Sequence, residues 1–362
     1  MKPHYIIILL FTFLSGFAQE LSLETSLDAA VNETSGLLFL NNTLITHNDS
    51  ANTNQLFEID TSTGSVTRTV TITNASNADW EDLTHDGTYI YIGDFGNNTG
   101  DRIDLKIYRI SISDYFSNAS VTADIINFSY SDQTDFTPSP FMTNFDAEGL
   151  IHYNNMLYVF SKNWLDGKTN IYELSKTPGT YTISIIDTIV AQGFISGATY
   201  NTLNDDILLC GYDFNGAFLI QVNGFSSGLF SNGNVEKTTV NIPANYSQQI
   251  EGIIPIDANE YYISAEENSP NASGLFSYNI STLSVSAYDQ ADYISFYPNP
   301  AKDSITLSHE DCETYIYAIT GQLVKTSNKK QIDISNLTTG IYLVKIESWD
   351  NLIFTTKRLI IQ

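Results

Sequence analysis

The 362-residue chain has few of the residues that indicate a disulfide-linked or nucleic-acid-binding protein. Its only cysteines are Cys210 and Cys312, so at most one disulfide bond is available, and two buried thiols are the expected state. Lys and Arg number 16 against 41 Asp and Glu, which gives a formal net charge of −25. No basic patch offsets this charge, so it would repel the phosphates of a nucleic acid.

Long apolar runs are also missing. The one apolar stretch that stands out, Tyr5 to Leu14, is too short to span a bilayer comfortably. It follows Lys2 and precedes the small residues Gly16 and Ala18, which is the pattern of an export signal. We therefore predict a signal peptide over residues 1–19 and no transmembrane segment in the remainder.

What the chain does contain is a repeated pattern between residues 20 and 288. Each copy has Ser or Glu, usually then Gly, an apolar strand, a tight turn and a second apolar strand. The copies start 46, 67, 48 and 55 residues apart, at Ser35, Glu81, Glu148, Ser196 and Glu251. Third strands such as NQLFEID and fourth strands such as SVTRTVTIT and TYTISIIDTI follow. Radial repetition of four-stranded sheets is typical of a β-propeller.

The copy number predicts an all-β fold with a five-bladed β-propeller over residues 20–288. The fifth copy lacks a convincing fourth strand of its own. The segment Leu21 to Leu27, which precedes the first copy, is expected to supply that strand and close the ring. A six-bladed ring with one degenerate blade is the alternative.

The remaining segment, residues 289–362, has short alternating strands between turn residues and predicts a small Ig-like β-sandwich. It carries four motifs in order: YPNP at Tyr297 to Pro300, GQLV at Gly321 to Val324, L-x-x-G-x-Y-x-V at Leu337 to Val344, and a basic pair at Lys357 and Arg358.

These motifs resemble the C-terminal sorting domain of proteins exported by the type IX secretion system of certain gram-negative bacteria. The resemblance implies passage through the periplasm and the outer membrane to the cell surface or the medium. It also implies handling by the type IX machinery and removal of the domain by its sorting peptidase.

The first residues of the five copies predict a metal site. In a propeller the innermost strand of each blade starts beside the central channel, so Ser35, Glu81, Glu148, Ser196 and Glu251 should form a ring. Three converging carboxylates repel one another, and a divalent cation relieves that repulsion. Oxygen-only ligands at flexible spacing favour Ca²⁺ over Mg²⁺ and disfavour zinc. The alternative is that Ser or Glu with Gly only shapes the start of the strand.

The order Ser, Glu, Glu, Ser, Glu resembles the calcium ring of the apyrase-type soluble calcium-activated nucleotidases, which are five-bladed propellers. The stretch from Glu81 to Gly93 is similar to that family in spacing as well. The resemblance implies that the five ring positions bind one central Ca²⁺. The chain departs from the family at the phosphate-binding positions, where Ser50 replaces an arginine and Asn97 replaces a lysine.

The residues that trail the second strands should surround the channel mouth and form a pocket for a small polar ligand. Among them, Asp49 or Glu266 would deprotonate a water beside the metal, while Lys162 or Arg102 would stabilise developing negative charge. His47 is a further catalytic candidate. The alternative is that the Asn and Asp residues here are turn residues. The chain lacks the P-loop, H-E-x-x-H and paired-cysteine motifs.

Three functions are consistent with this pattern. The first is an exported calcium-binding propeller that binds or hydrolyses a small polar molecule at the channel mouth. The second is a lactonase or esterase with a channel metal. The third is a non-catalytic surface adhesin or glycan-binding module in which calcium is structural.

We predict that nucleoside diphosphates are poor substrates. Ser50 and Asn97 stand where the family has cationic phosphate-binding side chains, and without these cations the polyphosphate charge has no partner. Phosphate release from such a diphosphate should stay at the uncatalysed rate with and without calcium. Rapid calcium-dependent release would contradict the prediction.

Overall fold

The computed structural model of the protein describes residues 19–280, 295–308, 312–318, 322–348 and 354–362. The predicted signal peptide at 1–19 lies outside these residues except for Gln19, and the predicted domain boundary at residue 288 also lies outside them. The chain divides into two compact units, one ending at Asn279 and the other beginning at Ile280.

The first unit is built almost entirely from strands. In chain order they begin as β1 (Gln19–Glu20), β2 (Ser22–Ser26), β3 (Thr34–Leu40), β4 (Thr43–Asn48), β5 (Gln55–Ile59), β6 (Val66–Ile72), β7 (Trp80–His85), β8 (Tyr89–Asp94), β9 (Lys106–Ser111), β10 (Ser120–Val121) and β11 (Asp124–Tyr130). They continue as β12 (Ala147–Tyr153), β13 (Met156–Ser161), β14 (Thr169–Leu174), β15 (Gly179–Ile183), β16 (Ile185–Ile189), β17 (Phe194–Asn201), β18 (Asp206–Asp213), β19 (Gly216–Asn223), β20 (Asn234–Asn241), β21 (Ile250–Pro255), β22 (Glu260–Ala265) and β23 (Gly274–Asn279). The described helical segments are α1 (Ile112–Ser117) and the 3-10 turns Ala29–Val31 and Phe230–Asn232.

Within residues 19–280 the strands form five sheets. Their orders are β3-β4-β5-β6-β10, β7-β8-β9-β11-β15, β12-β13-β14-β16, β17-β18-β19-β20-β1 and β21-β22-β23-β2. The first strands β3, β7, β12, β17 and β21 carry the starts of the five sequence copies. Each contacts the first strands of the sheets before and after it, and β21 contacts β3. The first strands therefore form a closed cycle, which gives the unit a propeller-like arrangement.

The outer strand of the fifth sheet comes from the segment before the first copy. β2 lies within Leu21 to Leu27 and pairs antiparallel with β23. The same segment also provides β1, which pairs parallel with β20 of the fourth sheet. The start of the described chain is therefore joined to the last two sheets of the unit.

Three sheets have an extra outer strand taken from the chain of the following sheet. β10 pairs parallel with β6, β15 with β11, and β1 with β20. The interpretation of TYTISIIDTI as one strand is therefore wrong, because its first part is β15 of the second sheet and its second part is β16 of the third. The physical reason is that the outer edge of β11 would otherwise be open. β15 pairs with the backbone N–H and C=O groups at that edge.

Each first strand has a β-bulge at its ring position. The pairing with the second strand is irregular between Thr34 and Leu37, Trp80 and Leu83, Ala147 and Gly149, Ile195 and Gly197, and Ile250 and Gly252. The ring residue lies within each irregularity. A bulge removes a residue from regular pairing and redirects its side chain. The Ser or Glu pattern therefore marks a bulge in the first strand.

The residue after the ring position is Gly in four copies and Asp82 in the second. A Cβ atom on Gly197 would overlap the backbone oxygen of Glu251, and one on Gly252 would overlap that of Ser35. Neighbouring first strands are thus too close for a side chain at either of these two glycines. The Asp82 carboxylate instead accepts hydrogen bonds from the backbone N–H of Leu150 at 2.8 Å and of Ala198 at 3.1 Å, which joins three first strands.

Strands near the centre of the unit are more deeply buried than strands at its outer edge. The second strands β4, β8 and β13 are buried along almost their whole length, whereas most of the outer strand β6 is half-buried and β11 alternates between buried and exposed residues over most of its length. A strand covered on both faces has continuous apolar sequence, and one covered on a single face alternates. The cores lie between adjacent sheets, as where Leu37, Trp80 and Tyr108 share one cluster.

The second unit contains β24 (Phe296–Tyr297), β25 (Ser304–Leu307), β26 (Cys312–Ala318), β27 (Leu323–Ser327), β28 (Gln331–Asp333), β29 (Gly340–Ser348) and β30 (Phe354–Ile361). Its described strands form a β24-β25-β28 sheet and a β27-β26-β29-β30 sheet, with a core that includes Ile305, Ile316 and Val344. Gly321 of the predicted GQLV motif lies outside the described residues. No helix in the described part of the chain is both long and apolar enough to cross a membrane.

We predict that Gly197→Ala destabilises the first unit by about 1–3 kcal/mol, because the new Cβ atom would force β17 away from β21. Calorimetric melting of the full chain measures this loss. Gly340→Ala is the control, since its Cβ atom would have no neighbour closer than 3.8 Å. Equal melting temperatures for the two variants would contradict close packing at Gly197.

Candidate metal and ligand site

A polar cavity of about 120 Å³ lies where the first strands begin and the second strands end. It receives residues from all five sheets or from the loops next to them. The lining residues are Ser35, Asp49, Glu81, Asn98, Phe141, Glu148, Lys162, Trp164, Tyr212, Gln249, Glu251 and Glu266. Its small volume suits an ion with a few waters or a small polar group.

The structure brings four of the five predicted ring residues to this cavity. Glu81, Glu148, Glu251 and Ser35 line it, whereas Ser196 does not. The Ser196 hydroxyl donates a hydrogen bond to the backbone oxygen of Ile250 on the neighbouring first strand. The Ser35 hydroxyl donates in the same way to the backbone oxygen of Glu81. The two serines therefore join adjacent first strands, and Ser35 also faces the cavity.

The ends of the second strands and the loops after them contribute one side chain or more from each sheet. Asp49, Asn98, Lys162, Trp164, Tyr212 and Glu266 line the cavity. Three of the predicted catalytic residues, namely Asp49, Glu266 and Lys162, are therefore close to the ring carboxylates. The fourth, His47, is not among the lining residues.

His47 is a buried structural residue. Its Nε2 accepts a hydrogen bond from the backbone N–H of Gly36 at 3.2 Å, and its Nδ1 donates to the backbone oxygen of Asn48 at 2.9 Å. Burial, against the bond to Asn48, lowers the pKa of His47 to about 4. Both ring nitrogens are bonded to backbone groups, so His47 has no free nitrogen with which to act as a base.

Arg102 also lies off the cavity. Its guanidinium forms an ion pair with Asp94 at 2.8 Å and donates to the backbone oxygen of Gly96 at 2.8 Å. Asp94 is fully buried and in turn accepts from the backbone N–H of Asp79. Arg102 therefore supports the loop after β8 and has its charge balanced by Asp94.

Two carboxylates at the site were missed by the sequence analysis. Asp79 and Asp146 directly precede β7 and β12, and both are buried. Each lies two residues before a ring glutamate, so the D-x-E spacing in DWE and DAE was a signal that could have found them. A carboxylate at this position is directed toward the same centre as the glutamate that follows.

These residues form two carboxylate triads that share Glu81. One triad is Asp49, Asp79 and Glu81, and the other is Glu81, Asp146 and Glu148. In each triad one ligand atom per residue lies within 4.8 Å of the others. Such grouped oxygens fit a hard divalent cation, which takes six to eight oxygen ligands in flexible geometry if it is Ca²⁺.

Lys162 places a cation inside this acidic cluster. Its Nζ lies 3.0 Å from Oε1 of Glu148, and both side chains are buried. The ammonium also lies 5.1 Å and 5.2 Å from the ring centroids of Trp164 and Tyr212. Burial lowers the pKa of Lys162, but attraction to Glu148 and Glu251 outweighs that effect and raises it. Lys162 is therefore a charged, tightly held partner of one carboxylate.

Aromatic rings form one side of the cavity. Trp164 and Tyr212 line it, and Phe141 packs edge-on against Trp164 with centroids 4.8 Å apart. Phe141 is 55% exposed, so an apolar face remains open at the mouth. The indole N–H of Trp164 donates to Oδ2 of Asp146 at 2.7 Å, which fixes this ring beside the acidic cluster.

Burial raises the pKa of the clustered carboxyl groups. It raises that of Asp49 to about 6, that of Glu251 to about 8 and, with repulsion from Asp49, that of Glu266 to about 7. Burial and repulsion from Asp49 and Asp146 raise the pKa of Asp79 to about 7. Burial also holds the pKa of Glu81 well above its usual range, with repulsion from Glu148 adding to the effect.

Comparison with known proteins identifies the second unit. Residues 295–362 match the family profile of the secretion system C-terminal sorting domain. The second unit is a type IX sorting domain. The predicted resemblance of this segment to a sorting domain is confirmed, and the sorting domain marks the protein as one exported through the type IX system to the cell surface or the medium.

No curated protein matches the chain. Among solved structures, the chain is similar to PorZ, a surface component of the type IX secretion system of Porphyromonas gingivalis, at 13% identity and a TM-score of 0.35, over 91% of this chain and 45% of PorZ. It is also similar to CoXyl43, a β-xylosidase/α-arabinofuranosidase from a compost metagenome, at 8% identity and a TM-score of 0.43, over 72% of this chain and 94% of that one. The α-L-arabinofuranosidase PaAbf62A of Podospora anserina aligns at 12% identity and a TM-score of 0.42, over 72% and 96%. The chain thus spans less than half of PorZ, and none of these alignments carries an argument about function.

We predict that the metal-free protein becomes less stable as the pH rises from about 6.5 to about 8.5. A carboxyl whose pKa is raised by folding stabilises the folded state below its unfolded pKa and loses that contribution as the pH rises through its folded pKa. Asp79, Glu266 and Glu251 pass through this range, each pKa unit being worth about 1.4 kcal/mol. Melting temperatures in chelator measure the slope.

The pH range of this fall distinguishes the effect of these carboxyl groups on stability from the effect of buried His47. Buried His47 has a lowered pKa and stabilises the folded state as the pH rises toward about 6.5, its ordinary value, after which it contributes no slope. Asp79→Asn should flatten the fall above that pH, whereas Asp124→Asn, at an exposed ion pair with Arg109, should not. A melting temperature that rises across the window would contradict the prediction.

Proposed function

We propose that the protein is an exported five-bladed β-propeller whose central cavity binds Ca²⁺ and whose mouth binds a small polar molecule. The observation that carries the proposal is the pair of carboxylate triads sharing Glu81, in which every member is buried except the half-buried Asp49. The closed cycle of β3, β7, β12, β17 and β21 supports five blades over six.

The residues fit a hard cation. The ligand atoms available are carboxylate oxygens of Glu81, Glu148 and Glu251, with the Ser35 hydroxyl beside them. Neither triad contains a histidine or a cysteine, so soft or borderline metals have no preferred ligand there. Ser196 is not proposed as a direct ligand, because its hydroxyl donates to Ile250 and lies away from the cavity.

Lys162 is proposed to orient the bound molecule. Its ammonium already lies between a carboxylate and two aromatic rings, so it presents a donor to an oxygen-rich ligand at the mouth. When bound, the cation would neutralise the ring carboxylates and polarise a ligand oxygen. Asp49 and Glu266 are the mouth carboxylates placed to accept a proton from a water or a ligand hydroxyl.

The exposed ring of Phe141 favours a second candidate, a binding module without catalysis. The exposed aromatic face can pack against the apolar side of a sugar ring. The neighbouring carboxylates can accept hydrogen bonds from the sugar hydroxyls. One experiment on the full chain distinguishes the catalytic function from the binding function. Lactones, esters and phosphate esters are screened for turnover that is lost in chelator and in Asp49→Asn, and glycans are screened for binding.

We predict that calcium stabilises the folded protein. Binding to the folded state alone contributes about 3 kcal/mol at a hundredfold excess over the dissociation constant. Chelator should therefore lower the melting temperature of the full chain, and added calcium should restore it. Glu148→Gln should weaken this response, because it removes one ring charge while keeping the side-chain size.

Asp124→Asn is the matched control and should keep the full calcium response, since its carboxylate is exposed and distant from the triads in sequence. A melting temperature that ignores both chelator and calcium would overturn the proposed metal site. The ring would then serve only to shape the first strands.

A further inference from the structure

We propose that a second divalent cation binds beside the central one, between Asp49, Asp79 and Glu81. Glu81 would then be shared by two cations. This inference rests on the proposed function, because it extends the same carboxylate cluster. It adds a site that includes Asp79, a residue outside the predicted ring.

Asp79 has a buried carboxylate oxygen that lacks a bonding partner in the described part of the chain, which indicates a site for a bound group. It is 9% exposed, and its Oδ1 has no hydrogen-bond partner among the described residues. A buried polar atom without a partner is costly, and an ionised one is more so. The backbone around Asp79 is well held, since its N–H donates to Asp94 and its oxygen accepts from Phe95 and Gly96. The free carboxylate oxygen is therefore a fixed feature of the fold.

Space for the carboxylates is kept by Gly96. A Cβ atom on Gly96 would overlap Oε1 of Glu81 and meet Oδ2 of Asp79 at 2.5 Å. The two carboxylates thus converge on the same side of the loop after β8. Asp49 completes the group from the loop after β4, with its ligand atom within 4.8 Å of the other two.

The other triad has a bonded ammonium and two N–H donors, whereas Lys162 and Arg102 act on Asp49 and Asp79 only at longer range. Asp146 accepts from the backbone N–H of Asn97 at 2.6 Å and from the Trp164 indole at 2.7 Å, and Glu148 pairs with Lys162. In the described part of the chain, neither Asp49 nor Asp79 forms an ion pair with a lysine or an arginine. A cation from solution is the partner that this triad lacks.

Charge balance also favours two cations over one. The cluster holds seven carboxyl groups and one ammonium, at Asp49, Asp79, Glu81, Asp146, Glu148, Glu251, Glu266 and Lys162. Fully ionised, it carries a charge of about −6, which one divalent cation reduces to about −4 and two reduce to about −2. The ligand class is a hard divalent cation, because every ligand atom is oxygen.

Calcium binding to the full chain tests the proposal. Stoichiometry is measured by calorimetric titration and equilibrium dialysis at physiological ionic strength, where loose surface binding is screened. Asp79→Asn should bind one Ca²⁺ fewer than the unmutated chain, Glu251→Gln one fewer, and Glu81→Gln two fewer. Asp124→Asn should bind the unmutated number.

A melting measurement in chelator checks that Asp79→Asn is folded. The variant should melt at a higher temperature than the unmutated chain, because it replaces an unpaired buried carboxylate with a neutral group. A lower melting temperature would show Asp79 to be a structural carboxylate and would overturn the second site.

The stoichiometries distinguish failure of this inference from failure of the proposed function. If Asp79→Asn binds as many Ca²⁺ ions as the unmutated chain while Glu251→Gln binds one fewer, the second site is overturned and the central site stands. If neither substitution changes the number, both sites are overturned.

Discussion

The centre of the first unit depends on one constraint, which is that five first strands close into a cycle with almost no room between their backbones. Gly197 and Gly252 lie against the backbone oxygens of the next strands, so neither position has room for a side chain. The bulges one residue earlier direct the ring residues to the end of the channel where the second strands finish. Close packing of backbones is therefore what concentrates carboxylates at one end.

The concentrated carboxylates repel one another, and the protein provides stabilising partners for only some of them. Lys162 and the N–H groups of Asn97 and Trp164 stabilise the carboxylates on the side of the third sheet. On the side of the first and second sheets, Asp49 accepts a hydrogen bond from the backbone N–H of Ser50, but Asp79 retains a buried oxygen without a partner among the described residues. The stability of the centre is thus tied to protons and ions of the medium outside the cell, to which the sorting domain directs the protein.

Much of this arrangement could be predicted from the sequence, because a repeat places equivalent residues at equivalent positions. The ring glutamates and the closing segment Leu21 to Leu27 were found in that way. Roles that depend on hydrogen bonds across the fold were not predictable. His47 was expected at the mouth, but its two nitrogens bind backbone groups, and Ser196 faces a neighbouring strand. Asp79 and Asp146 were missed because they precede the repeat as it was defined.

The split of Thr180 to Ile189 into β15 and β16 shows a further limit of pattern analysis. Alternation of apolar and polar residues continues through the segment, yet its two halves belong to different sheets. An open edge on β11 determines this outcome, and such an edge exists only once the second sheet has formed.

The pairing of β2 with β23 has a consequence for how the unit assembles. The Ser277 hydroxyl donates to a carboxylate oxygen of Glu24 across a separation of 253 residues, so the contact that completes the fifth sheet joins chain segments far apart in sequence. Such long-range contacts carry a large loop-closure cost and form late. The acidic site is therefore complete only when the whole first unit is available for folding. Until then the five sheets do not form a closed ring. We therefore expect the proposed cation site to be complete only in the compartment where this last strand pairs.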